Sequence, residues 1–372
     1  MAAGSLSAVI LAAGEGTRMR SQRPKPLHLL CGRAMVLYVL DALVGSDVRK
    51  AVIVVGHGAE RITKKLQEDG PDIALDFVEQ RRQLGTGDAA AVGLTAFSDD
   101  ELDDHADGDV LVLPGDTPLL RAETIAGLVA HHRASGAAAT VLTARFADPT
   151  GYGRVVRGRD DRVARIVEQR DATPDELAID EINTGIYCFR QGLLAPALRR
   201  ISPENAQGEY YLTDVVAVLH DAGHRVESFV APDPDETHGV NDRAQLAAAE
   251  AALRWRTNQG WMARGVTLVD PTNTYVDATV ELGPDVTLFP GVLVQGRTVI
   301  GAGAEIGPGC HLVDCAIGEG AVLEHTVGRD AEVGAGARVG PFAVLEPGAQ
   351  IPEGRSTGPF YTAGSSEMPA SD

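Results

Sequence analysis

Over the first 240 residues, short apolar runs alternate with amphipathic stretches. The runs at 8–11, 51–55, 74–78, 110–113 and 140–143 predict buried strands. The stretches between them, at 34–43, 59–68, 87–97 and 122–134, predict helices. Strand–helix alternation of this kind predicts an α/β fold, with a mostly parallel sheet covered on both faces. Ligands of such sheets sit beyond the carboxyl ends of the strands. That directs attention to the loops after Leu11, Val78 and Leu113. Residues 243–263 are rich in alanine, lack proline and carry one late glycine, Gly260, which predicts a long connector helix.

From about residue 265 the period changes. Val276, Leu282, Leu288, Val294, Ile300, Ile306 and Leu312 stand six residues apart. After a slip near Cys315 the spacing resumes at Val327, Val333, Val339, Leu345 and Ile351. A sustained six-residue period predicts a short parallel β-helix of hexapeptide repeats, each anchor pointing inward. The expected organisation is a domain over 1–240, a connector over 241–264, the β-helix over 265–354 and a flexible tail over 355–372. Phe360 and Tyr361 in that tail are candidates to fold back over the last coil.

Composition narrows the partners. The 372 residues give room for two or three domains, and 44% hydrophobic content is that of a globular chain. The net charge of −19 repels nucleic acid backbones and anionic membranes, so neither is an expected partner. Against that field, the cluster Arg18, Arg20, Arg23 and Lys25 stands out as a place for an anion. Cys31, Cys188, Cys310 and Cys315 form no metal-ligand spacing and read as small apolar fillers. The first seven residues lack a basic start and an apolar core, and no apolar run reaches the ~18 residues of a membrane span. A cytoplasmic protein is the expectation.

The candidate chemistry begins at the end of the first strand, in Leu11-Ala12-Ala13-Gly14-Glu15-Gly16-Thr17-Arg18-Met19, followed by Pro24-Lys25-Pro26-Leu27. Gly14 and Gly16 let backbone approach a ligand closely, and loop N–H groups can cradle phosphate oxygens. Arg18 adds a planar guanidinium and Lys25 a compact charge. No Gly-Lys-Ser/Thr triplet follows, and Met19 stands where a dinucleotide fingerprint needs its third glycine. An ordinary glycine turn after a strand is the plainer alternative.

Further motifs follow in order: Gln83-Leu84-Gly85-Thr86-Gly87, Gly115-Asp116-Thr117-Pro118, Gly151-Tyr152-Gly153-Arg154, Glu168-Gln169, Asn183-Thr184-Gly185, Glu209-Tyr210-Tyr211-Leu212-Thr213-Asp214 and Val240-Asn241-Asp242. Together with the first loop they resemble the bacterial family of bifunctional N-acetylglucosamine-1-phosphate uridylyltransferase/glucosamine-1-phosphate acetyltransferases, from about residue 7 to 354. The resemblance implies a Rossmann-like, GT-A-like nucleotidyltransferase domain followed by a left-handed β-helix. It implies UTP and N-acetylglucosamine-1-phosphate as substrates, Mg²⁺ as cofactor and a homotrimer held by the β-helices. It implies that Leu11, Ala12, Ala13, Gly14, Gly16, Thr17, Gln80, Gln83, Gly85 and Thr86 bind the nucleotide. Arg18 and Lys25 would be catalytic, Asp116 and Asn241 would hold the metal, and Gly153, Glu168, Asn183 and Asn241 would hold the sugar.

Blander roles stay open at this point. Asp116 could cap a turn, Asn241 could cap the connector helix, and Glu168 could be a solvated strand residue. Tyr210, Tyr211, His57 and His238 read as packing or surface residues. The chain also departs from the family pattern. Glu346, in Val344-Leu345-Glu346-Pro347-Gly348, stands where an arginine would hold a sugar phosphate, and the family's β-helix runs about a hundred residues further. Both departures predict that acetyl transfer is absent. Asp88 replaces a histidine near the nucleotide, and Pro114 replaces tyrosine or serine near the sugar. A nucleotidylyltransferase for another sugar-1-phosphate or for dTTP, and a non-catalytic nucleotide-sugar-binding homologue, are the competing readings.

Overall fold

The computed structural model describes residues 5–97, 108–158 and 160–364. At the centre of the N-terminal unit (Met1–His28 with Ala34–Leu246) lies strand β1, Leu6–Ala12. The other strands of its nine-stranded sheet are β2 (Val48–Val55), β3 (Ala74–Glu79), β4 (Asp109–Pro114), β5 (Ala139–Arg145), β6 (Gly153–Arg157), β7 (Val163–Val167), β8 (Glu181–Arg190) and β9 (Val226–Val230). The order is β9-β5-β8-β4-β1-β2-β3. β1 runs parallel to β2 and β4, as β2 does to β3.

The apolar runs of β1, β2, β4 and β5 are continuous because both faces of the sheet are covered there, whereas β3, expected to be buried, lies at the sheet edge and is partly exposed along its length. Val9 belongs to the core on one face, with Ala90 and Leu94 of α3 (Thr86–Leu94). Ala8 and Ile10 belong to the other, with α1 (Met35–Asp41), α2 (Ala59–Asp69) and α4 (Ala122–Ser135). At Gly93 the helix α3 comes so close that a Cβ would stand 2.5 Å from Val9.

The sheet is mixed. β8 is antiparallel to both β4 and β5, and β6 and β7 form an antiparallel flap on it. These strands do not show in the apolar pattern, because Asn183-Thr184-Gly185 interrupts β8 at an irregularity where Gly185 has φ +79°. The flap places Gly153 beside Asn183.

After α5 (Gln191–Leu198) and α6 (Asp214–Asp221) comes α7, Arg243–Ala263, most of which belongs to the second unit (Leu29–Arg33 with Ala247–Asp372). That unit then forms a left-handed β-helix whose three faces are parallel sheets of five, six and five strands. Leu288, Val294, Ile300, Ile306 and Leu312 are at most 1% exposed, pointing inward as the period predicts.

The slip is resolved differently from the sequence expectation. Leu312 pairs with Gly328, sixteen residues on, where Val294 pairs with Leu312 after eighteen. The inward position is therefore Gly328, and Val327 is turned outward at 40% exposure. Gly328 stands five residues before the inward Val333, so a six-residue step back lands on Val327, and an apolar count cannot see an inward glycine. Ile317 and Leu323 supply the anchors across the slip. Cys310 and Cys315 are buried fillers, and Cys310 Sγ accepts the Thr326 N–H at 3.3 Å.

The tail also differs. Ser356 bridges to Arg338, and Thr362–Ala363 pairs with Val344–Leu345. Phe360 stacks on Phe342 at 5.3 Å, and Tyr361 packs on the apolar core. Backbone pairing with the preceding coil, which composition does not report, extends the stack. Residues 365–372 of the expected tail lie outside the described residues.

Candidate active site

The loops after β1, β3 and β4 open at one end of the N-terminal sheet, around a cavity of about 480 Å³. Its wall includes Leu11, Ala12, Ala13 and Gly14 from the first loop, Gln80, Gln83, Gly85 and Thr86 from the second, and Asp116 from the third. Gly153, Glu168 and Asn183 line it from the flap side, and Asn241 and Lys25 complete it. Gly16 and Thr17 do not line it, and Arg18, Arg20 and Arg23 are exposed and line no part of it.

The first loop is shaped by its glycines and prolines. Gly16 has φ +63°, and a Cβ there would fall 2.7 Å from Lys25 Cβ. The glycine thus lets the lysine backbone close on the loop. Pro24 and Pro26 start the tight turn Lys25–Leu27 and fix how Lys25 leaves it. The loop after β4 is tied down by Gly115 N–H donating to Leu11 C=O at 2.9 Å. Asp116 C=O in turn accepts Val240 N–H at 2.8 Å, which brings in Asn241.

Four polar side chains converge there. Lys25 Nζ donates to an Asp116 carboxylate oxygen and, at 2.9 Å, to Asn241 Oδ1. Arg18 Nη2 donates to the same Asn241 oxygen at 2.9 Å. Asn241 is free for this because it does not cap α7. Asp242 does, accepting the Gln245 N–H at 2.8 Å, while Gln245 Oε1 accepts the Asn241 N–H at 2.7 Å. The arrangement is two hard oxygen donors held beside two cations.

At the opposite end Gln83 Nε2 donates to Ala13 C=O at 2.8 Å. Gly85, with φ +109°, docks on the 209–212 segment, where Tyr210 C=O accepts Gly87 N–H at 2.8 Å and Thr86 Oγ1 accepts Leu212 N–H at 3.0 Å. The Glu209–Asp214 motif therefore holds the second loop in place. It also supplies Thr213, whose hydroxyl donates to Glu168 at 3.3 Å.

Glu168 is not a solvated strand residue. Burial raises its pKa, and the charges of Asp214 and Asp171 push the same way. Asn183 Oδ1 accepts Gly185 N–H at 3.1 Å, and the Asn183 side chain also hydrogen-bonds the Tyr187 hydroxyl. A Cβ on Gly153 would approach Ile166 to 3.2 Å and the Glu168 carboxylate to 3.5 Å.

Sequence reasoning passed over Tyr152, Tyr187 and Thr213, which also line the cavity. Burial and the nearby Asp116 carboxylate raise the Tyr152 hydroxyl pKa, opposed by a backbone hydrogen bond from Gly239. The ring meets Phe146 edge-on at 5.2 Å, and Phe146 stacks on His238 at 4.6 Å. The signal for Tyr152 was its place between Gly151 and Gly153. Tyr187 and Thr213 carried none beyond their motifs. Among the described residues, no group of three or more His, Cys, Asp or Glu could hold a metal alone, and no helix is long and apolar enough to cross a membrane.

Residues 7–262 match the family model described as nucleotidyl transferase. The bifunctional protein GlmU of Brevibacillus brevis is 44% identical over 355 residues, covering 95% of this chain and 75% of that protein. The bifunctional protein GlmU of Streptomyces avermitilis is 48% identical over 344 residues, covering 92% and 70%. That of a Geobacillus species is 43% identical over 353 residues, covering 95% and 74%. With the site's loops, flap and β-helix on one chain, these matches show that the protein belongs to the GlmU family of nucleotidyl transferases.

Proposed function

We propose that the protein is a uridylyltransferase that makes UDP-N-acetylglucosamine and pyrophosphate from UTP and N-acetylglucosamine-1-phosphate in the cytoplasm. The observation that carries this reading is the convergence of Lys25, Asp116 and Asn241 in one cavity that Gln80 and Glu168 also line, with exposed Arg18 hydrogen-bonded to Asn241 from outside the lining. A phosphate oxygen of the sugar-1-phosphate attacks the α-phosphorus of UTP. The bond from that phosphorus to the bridging oxygen breaks, and pyrophosphate leaves with the electron pair. No protein nucleophile is needed. The work is positioning two anions and stabilising the charge that builds between them.

Lys25 and Arg18 supply that positive charge. Ala13, Gln80, Gln83, Gly85 and Thr86 hold the base end, and Gly14, Gly16 and Thr17 shape the phosphate loop. Glu168 accepts hydrogen bonds from the sugar, and the Asn183 amide donates to it, with Gly153 keeping the wall close. Asp116 and Asn241 fit a divalent cation, Mg²⁺ in our reading: a carboxylate and an amide oxygen are hard donors, already gathered around a positive charge. When bound, the ion neutralises phosphate charge. The retention of this group speaks against a binding-only homologue.

The β-helix carries two further proposals. Glu346 puts a negative charge where a sugar phosphate would need a cation, which supports loss of acetyl transfer. The outward row Tyr275, Leu293, His311, Val327, Val344 and Thr362 on one face is apolar except at His311 and Thr362, and supports a homotrimer through the β-helices. Pyrophosphate release over a panel of nucleotides and sugar-1-phosphates tests the main reading. Release that is not greatest with UTP and N-acetylglucosamine-1-phosphate refutes it. Saturable thiol release from acetyl-CoA with glucosamine-1-phosphate refutes the loss of acetyl transfer, and a monomer by light scattering refutes the trimer.

A further inference from the structure

Gln80 is 6% exposed and lines the base end of the cavity. Its Nε2 donates to Asp88 Oδ2 at 2.7 Å and to Gly85 C=O at 3.2 Å. A side-chain amide nitrogen has two hydrogens, and both are used. Its Oε1 accepts no hydrogen bond from the described residues. Turning the amide over would set Oε1 against a carboxylate and a carbonyl, both of which only accept. The orientation is therefore fixed from behind. Asp88 does not itself line the cavity. The negative charge that the sequence places near the nucleotide is directed at the Gln80 amide.

We propose that Asp88 is a positioning residue for base selection. By holding Gln80 Nε2 it leaves Gln80 only an acceptor, Oε1, to offer the base. The site then takes pyrimidine nucleotides that carry an N–H at ring position 3, uracil or thymine, and rejects cytosine, whose ring nitrogen there is itself an acceptor. A missing donor leaves two acceptors facing each other in a poorly hydrated place, which is how polar sites discriminate most strongly. The inference rests on the uridylyl reading of this cavity. Asp88 also lies in the first turn of α3, where a carboxylate favours the helix, so a stability role must be separated from a selective one.

Titration calorimetry of the full chain with UTP, dTTP and CTP, without sugar phosphate, separates them, with a thermal melt of each variant. The wild type should bind UTP at least a hundredfold more tightly than CTP. Asp88→Asn, whose amide can donate as well as accept, should narrow that preference at least tenfold and leave the UTP-to-dTTP ratio unchanged. Asp88→Ala should narrow it too, and Asp88→Glu should restore it. Variants that melt lower but keep the full UTP preference overturn the role of Asp88 and leave the uridylyl reading standing. A wild type that binds UTP and CTP alike overturns both.

Discussion

Replacing Lys25 by alanine removes the one ammonium held between Asp116 and Asn241. Its side chain is 13% exposed, so its charge is poorly screened by solvent. At an effective dielectric of ~20, a unit charge ~4–5 Å from developing phosphate charge contributes about 3–4 kcal/mol. At ~1.4 kcal/mol per decade, that predicts a fall in kcat of roughly 10²–10³-fold. Affinity for UTP should fall much less. Before reaction the ammonium is already neutralised by Asp116, and the full benefit arises only as charge builds on the phosphates. Single-turnover pyrophosphate release gives the chemical step, and calorimetry gives the UTP dissociation constant. An unchanged kcat, or a loss that saturating UTP restores, would refute the reasoning.

Asp116→Ala should leave less than a tenth of the turnover at saturating Mg²⁺ while the circular dichroism spectrum stays that of the wild type; a higher rate removes Asp116 from the metal site. Gly85→Ala should destabilise the fold by about 1–3 kcal/mol, since it forces a side chain into a strained backbone region. Its Cβ would also stand 2.5 Å from Tyr210 C=O, so UTP binding should weaken with the melting temperature, and an unshifted melt would contradict this. Acid denaturation should depend on Asp109. Burial alone would raise its pKa, but hydrogen bonds from His132 and Arg133 hold it below the ordinary value. The native state thus binds fewer protons than the unfolded chain. Its contribution is complete well above ~pH 4 and is lost as the pH falls through the carboxylate range. Asp109→Asn should flatten that part of the stability curve, and an unchanged slope would show that Asp109 is not responsible.

The strands with continuous apolar runs were legible because both their faces are buried, as Ala8, Val9 and Ile10 illustrate. β8 was not, because Asn183-Thr184-Gly185 sits in its middle for the sake of the cavity. The site's loops were legible through residue type: glycines where Lys25 or Tyr210 closes in, and Asp116 after β4. What could not be read were pairings set by side-chain direction. Asn241 and Asp242 are neighbours with similar chemistry, and only geometry assigns the helix cap to Asp242. The Gln80–Asp88 contact joins a strand end to a helix turn, and no periodicity marks it. Val327 misled because a one-residue parity shift leaves an apolar residue next to the true inward position.

The short coil at Gly328 bears on how such a stack can be edited. A Cβ at that position would lie 3.2 Å from Cys315 Sγ and 3.3 Å from Leu312, so the bore of the prism is already filled there by its neighbours. Coil length and bore are therefore a single variable. Restoring the two missing residues while keeping glycine inside would open a hole, and a larger inward residue at the present length would press on Cys315 and Leu312. Repeats cut from this chain and spliced into another stack would have to travel as a set, with the coil, its glycine and its cysteine together.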